Sequence, residues 1–246
     1  MGRRSSDRIF SSHWESFYNQ LDVLSNLKIP RWIGPSSSDA QIEVHGFADS
    51  SNKAFGAVIY VRTVHQNQVT VSLQFFKTRI APIKIISIPR MELCVATLLA
   101  KLVKHSIEVM PFKQPIIHLW SDSLDALYWI RDHPSRWQTF VANSCSEIQT
   151  LAPNAFWHHV RSHDNPADVI SRGIEPTELE SHSLWRQGPD FLRNTRESWT
   201  TKADSITVVP LEEKKVVHVE VDSQSSQLDT GSIWDLKGKI HLYLAC

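Results

Sequence analysis

Cysteine is scarce in this 246-residue chain, and its placement excludes two classes of protein. Cys94, Cys145 and Cys246 are far apart, odd in number and never form a C-x-x-C pair, so neither a disulfide framework nor a structural zinc site is supported. The histidines supply no H-E-x-x-H spacing, and His158–His159 is an adjacent pair that points two ways on a strand. No apolar run approaches the ~20 residues that cross a bilayer, and no signal-peptide core follows the start. The chain therefore reads as soluble and intracellular, with no membrane partner. The opening MGRRSS fits a loose myristoylation pattern, a match too common to be read as an anchor. Net charge is also missing: 26 Lys and Arg balance 26 Asp and Glu, so attraction of the whole molecule to nucleic acid is not implied. The 41% hydrophobic and 21% charged content is that of an ordinary globular chain, long enough for one sizeable domain or a domain with extensions.

What is present centres on Ser87–Met110, SIPRMELCVATLLAKLVKHSIEVM. Pro89 suits a helix start, where its missing N–H is not needed. From Met91 the sequence is apolar for about three turns, which predicts a helix buried over most of its surface. Glu92 is the exception. One turn on from it stand Val95, Ala96 and Leu99, so its carboxylate faces apolar surroundings and needs a cation, a metal, several donors or a proton. A plainer reading has it reaching back to its own helix N-terminus. From Lys77 to Lys104 there is a local cation excess: Lys77, Arg79, Lys84, Arg90, Lys101 and Lys104 against Glu92 alone. Such a run is often only a solvated face.

In chain order, a short helical segment near Trp14 to Leu24 precedes IPRWIGPSSSDA, a linker that predicts a domain boundary near Ser36–Asp39. QIEVHGFADSS follows as a strand, with Glu43, His45, Phe47 and Asp49 on one face and Ile42, Val44, Gly46 and Ala48 on the other. FGAVIYVR and VTVSLQFFK complete an antiparallel meander. After the long helix come the strand PIIHLWSDS, an amphipathic helix LDALYWIRD, a second helix from about Trp137 to Leu151, and the strand AFWHHVR. SHDNPADVISRG then enters a last helix at Pro166. The order predicts an α/β fold: a mixed sheet of three antiparallel strands followed by parallel ones, with helices on both faces. Asp49, Asp122 and Asp168 each stand at a strand end or helix start, where sites gather in such sheets. Each has a local explanation: Asp49 as a turn residue, Asp122 as an N-cap, Asp168 as an acid favoured by the helix dipole. Four acids with four separate explanations are suspicious as a set.

Asp on the first strand, Glu on the first helix, Asp at the fourth strand end and Asp at the last helix start resemble type 1 ribonuclease H. The wording is more similar still to the ribonuclease H region of BEL/Pao-type LTR retrotransposon polyproteins, in GFADSSNKAFGAVIYVR, FFKTRIAPIKIISIPRMELCVATLLAKL, IHLWSDS, FVANSCSEI, NPADVISRG and SLWRQGPDFL. The resemblance covers roughly 40–195. Residues 11–34 look like the tail of the preceding reverse-transcriptase region, giving expected units of 1–37, 38–195 and a 196–246 tail, disordered or a truncated next domain. No Asp-Asp pair of a polymerase site occurs, and no His/Cys integrase start follows residue 196.

The resemblance implies endonucleolytic hydrolysis of the RNA strand of RNA–DNA hybrids, with two Mg²⁺ (or Mn²⁺) among four carboxylates and water as nucleophile. Asp49 would bridge, Glu92 and Asp122 would serve one ion and Asp168 the other. His163, in the short loop VRSHDNPAD, would match the mobile histidine that type 1 enzymes often carry before the last acid. Lys77, Arg79, Lys84 and Arg90 would contact phosphates. Implied partners are the hybrid and the reverse-transcriptase and integrase parts of the polyprotein, in cytoplasm or a virus-like particle. Two other readings remain open: an integrase-core or exonuclease relative, whose glutamate would sit on the final helix, and a degenerate remnant that binds nucleic acid or merely folds.

Overall fold

A computed structural model describes residues 14–29, 40–84, 86–110, 114–199 and 212–214. The MGRRSS start, the boundary expected near Ser36–Asp39 and most of the 196–246 tail lie outside the described residues.

Helix α1 (residues 14–20) runs into a 3₁₀ turn at Leu21–Asn26. The meander follows as β1 (Gln41–Ser50), β2 (Ala54–His65) and β3 (Gln68–Ile80). Gln66 and Asn67 join β2 to β3 with φ of 48° and 63°, the left-handed pair that a tight two-residue hairpin needs. Then come α2 (Ile88–Val109), β4 (Ile116–Ser121), α3 (Leu124–Arg131), α4 (Thr139–Leu151) and β5 (Phe156–His159). The short helices α5 (Ala167–Arg172), α6 (Pro176–Ser181) and α7 (Ser183–Gln187) complete the body, two more than the sequence pattern suggests. The sheet order is β3-β2-β1-β4-β5, antiparallel through the meander and parallel from β1 to β4 to β5. This is the mixed α/β sheet expected.

The two sheet faces carry separate cores. On one, Val44 and Ala48 of β1 meet Val95, Ala96 and Leu99 of α2, with Trp129, Trp137, Cys145 and Ile148 behind them. Gly46 permits this approach, because a Cβ there would lie 2.7 Å from Leu99 Cδ1. On the other face Phe47, Tyr60 and Trp120 pack with Trp185, Leu192 and Trp199. The Tyr60 hydroxyl donates to the Trp185 carbonyl at 2.6 Å, which satisfies a polar atom inside that apolar layer. Two residues past 195 pack into this unit. Trp199 is buried, and the Arg196 guanidinium reaches Glu43 at 2.5 Å. Glu212 and Glu213 also reach the body, pairing with Arg90 and Arg136.

Candidate metal centre

Three acids from three elements converge at the end of the sheet. Asp49 comes from the close of β1, Glu92 from the first turns of α2 and Asp122 from the residue after β4, and each places a carboxylate oxygen within 4.8 Å of the others. The parallel β1–β4 pairing sets Ala48 opposite Ser121, so the residues that follow, Asp49 and Asp122, leave the sheet side by side. Asp49 and Glu92 are 4% and 6% exposed.

The local explanations for these acids are taken by serines. Ser123 caps α3, accepting from the Ala126 N–H at 3.3 Å, so Asp122 is not the N-cap that its position suggests. Ser51 holds the β1–β2 turn, accepting from the N–H groups of Lys53 and Ala54 at 3.1 and 3.2 Å, so Asp49 is not needed there. Glu92 does not fold back on its own helix: its Oε1 accepts from Ser50 Oγ at 2.5 Å, and Oε2 is buried with no protein partner. Ser171 of α5 donates to Asp49 Oδ2, and Ser162 donates to Asp122 Oδ2 at 2.7 Å.

Burial pushes the Asp49 carboxyl up to about 7, against the Ser171 hydrogen bond and the charge of Arg172, with Asp122 and Asp168 adding repulsion. Burial likewise raises Glu92 to about 8, against the Ser50 hydrogen bond and with help from Asp122 and Asp49. Buried acids facing one another without a cation either keep a proton or take an ion. The donors are hard oxygens, one of them an orphaned buried atom, which suits Mg²⁺ or Mn²⁺ and not a thiolate- or imidazole-seeking metal.

Asp168 stands apart. It lies in the first turn of α5 and pairs with Arg172 one turn on, at 2.5 Å, outside the three-acid group. Its helix is nevertheless held against the site. Buried Asn165 donates to the Ala48 carbonyl at 2.9 Å, and Gly56, opposite Asp49 in the β1–β2 register, leaves room for Ile170, which a Cβ would meet at 2.6 Å. His163 is exposed on the 3₁₀ turn Ser162–Asp164 and lies 3.2 Å from Asp164. Lys77 and Arg79 are exposed near the end of β3, where Arg79 pairs with Phe55, and Lys84 is exposed beyond it. Arg90 is engaged: Nε and Nη2 bind Glu212 at 2.9 and 3.0 Å. Sequence reasoning missed Ser50, Ser162, Ser171 and Asn165. Only Ser50 adjoins a metal-site acid in sequence, and its partner is a different acid, Glu92, forty-two positions away.

Residues 5–123 match the family model described as the Pao retrotransposon-like RNaseH-like domain. This stretch, just under half of the chain, is similar to that domain. Three of the four acids lie inside the matched stretch, and Asp168 lies beyond it. Among solved structures, the chain is similar to LC11-RNase H1 in complex with RNA/DNA hybrid: 10% identity over 56% of this chain and 99% of that one, TM-score 0.39. RNase H1 of Halobacterium salinarum matches at 11% identity over 52% of this chain and 90% of that one, TM-score 0.33. The N-terminal ribonuclease H domain of a Mycobacterium tuberculosis protein matches at 15% identity over 60% and 99%, TM-score 0.34. No curated protein sequence matches the chain. No helix among the described residues is long and apolar enough to cross a membrane.

Proposed function

We propose that this Pao-type domain hydrolyses the RNA strand of RNA–DNA hybrids as a divalent-metal endonuclease. The observation that carries the reading is the convergence of Asp49, Glu92 and Asp122 within 4.8 Å, with one buried oxygen of Glu92 left unpartnered. Asp49, Glu92 and Asp122 would hold one Mg²⁺ or Mn²⁺. Asp168 would join Asp49 at a second ion on release from Arg172. Bound divalent ions supply Lewis acidity for activating water and for charge on the leaving oxygen. The chain's own residues do the rest. The carboxylates would hold the ions against which the reacting phosphate sits, and Asn165 and Ser171 hold α5 against β1. Exposed His163, on the turn that also carries Ser162, would help product leave.

The hybrid would lie across the sheet end, with Lys77, Arg79 and Lys84 on its phosphates and its 2′-hydroxyls toward the carboxylates. Arg90 would contribute only on leaving Glu212. The reverse-transcriptase and integrase parts of a retrotransposon polyprotein are its proposed neighbours, and cytoplasm or a virus-like particle its setting. We place the limits of the independently folding unit near 38 and beyond Trp199, because Trp199 is buried in its core and Arg196 pairs with buried Glu43.

The test is cleavage of an end-labelled RNA–DNA hybrid by the full chain in Mg²⁺ or Mn²⁺. Internal cuts in the RNA strand, lost with chelator and in Asp49→Asn, are expected. Hybrid that is bound and left intact in both metals would mark a non-catalytic remnant and overturn the enzymatic reading.

A further inference from the structure

The carboxylates of the cluster share a kind of partner that Asp168 does not have. Ser50 serves Glu92, Ser162 serves Asp122 and Ser171 serves Asp49, each through its hydroxyl. No serine serves the acid beside it in sequence. The bonds run crosswise, from the end of β1 to α2, from the 3₁₀ turn to the end of β4, and from α5 to β1. Ser51 adds a fourth tie, donating to the Ser171 carbonyl at 2.6 Å and so pinning the β1–β2 turn to α5. The elements that bring the acids together are therefore laced by hydroxyls at the point of convergence.

The chemistry of the donor matters. A guanidinium on a carboxylate satisfies and neutralises it, which is the state of Asp168 with Arg172. A hydroxyl has one proton and no charge. It fixes one oxygen, leaves the negative charge in place, and leaves the other oxygen open. Glu92 shows the result directly, with Oε1 on Ser50 and Oε2 buried without a donor. We propose that Ser50, Ser162 and Ser171 are positioning residues that preset the three carboxylates for a divalent ion. The inference rests on reading those carboxylates as metal ligands.

Thermal unfolding of the full chain against Mg²⁺ and Mn²⁺ concentration tests it, without reference to cleavage. For Ser50→Ala, Ser162→Ala and Ser171→Ala the metal concentration giving half the stabilisation should rise about 10-fold or more, the usual cost of losing a partner that orients a ligand. Ser50→Thr, which keeps the hydroxyl, should restore the wild-type midpoint. Ser162 is exposed, so Ser162→Ala folds and carries the test even where the buried Ser171→Ala does not. A merely structural serine would lower Tm equally with and without metal and leave the midpoint unmoved, and that result overturns the proposal. A wild type whose Tm responds to neither ion fails differently: it removes the metal reading itself, and the inference with it.

Discussion

Glu43 and Asp49 stand on one face of one strand, six residues apart, and meet opposite surroundings. Both are buried carboxylates. Burial alone would raise Glu43, yet hydrogen bonds from His45 and Arg196 and the charge of Arg62 hold it down at about 2. Arg62 Nη1 reaches it at 3.0 Å while its other nitrogens bind the Leu192 and Asn194 carbonyls at 2.6 and 3.1 Å. Trp120 donates its indole N–H to His45 Nδ1 at 3.2 Å, so the proton that His45 shares with Glu43 sits on Nε2. Asp49 has the Ser171 hydroxyl where Glu43 has guanidinia, and burial pushes it up to about 7. One end of β1 is a finished structural network that locks residues 192–196 onto the sheet. The other is an acid cluster that no Lys or Arg among the described residues pairs with directly, and only the charge of Arg172 acts on Asp49 from beyond contact. A buried acid marks a site when its positive partner is missing, not because it is buried.

Breaking the finished end should have the largest effect on stability. Arg62→Ala leaves Glu43 buried with part of its partnership gone and frees two carbonyls, at an expected cost of about 3–5 kcal/mol in denaturant unfolding. A loss under about 1 kcal/mol would mean that Arg196 alone suffices. Gly56→Ala probes the seam between β2 and α5, since its Cβ would strike Ile170 on the helix that carries Ser171 and Asp168. Overpacking of this kind costs about 1–3 kcal/mol. Metal stabilisation should weaken along with it, because α5 moves away from Asp49.

The acid end predicts an unusual pH profile. Unfolded, Asp49 and Glu92 ionise near 4, whereas in the metal-free fold they keep their protons to about 7 and about 8. Between those limits the folded state binds more protons, so metal-free stability should fall as pH rises toward 8. A Tm drop on the order of 5 °C between pH 6 and pH 9 is expected, with the Mg²⁺-induced rise in Tm growing over the same range. The histidines act in the other direction. Burial holds His118 down at about 3 and His158 at about 4, so below the ordinary 6.5 the unfolded chain takes more protons and stability falls as pH drops. Asp49→Asn should remove its share of the fall between about pH 4 and pH 7 and leave the part that Glu92 carries toward pH 8.

Much of this was legible before any coordinates. Helix α2 follows the sequence reading from Ser87 to Met110, because Pro89 and three apolar turns leave little choice of boundary. The face assignment of Glu43, His45, Phe47 and Asp49 also follows from strand alternation. The difference between Glu43 and Asp49 was not legible, because the partners of Glu43 come from Arg62 and Arg196, and pairing across 153 positions leaves no local pattern. The serine lacing is hidden for the same reason, as Ser171 meets Asp49 across 122 positions. Asp168 lies in the first turn of α5, where the sequence pattern puts a helix start, but its pairing with Arg172 is a side-chain choice that spacing only permits.

The smallest change carries the sharpest sign. Glu92→Gln keeps the shape of the side chain and its bond to Ser50 while removing the charge that burial and its acidic neighbours oppose. Thermal unfolding of this variant and wild type at pH 9, each with chelator and with Mg²⁺, is the most direct test. Without metal the variant should melt higher, by about 1–3 kcal/mol in stability, and it should gain little from Mg²⁺ and cut no hybrid. A Glu92→Gln protein that melts lower without metal, gains as much from Mg²⁺ as wild type and still cleaves would contradict the carboxylate metal centre.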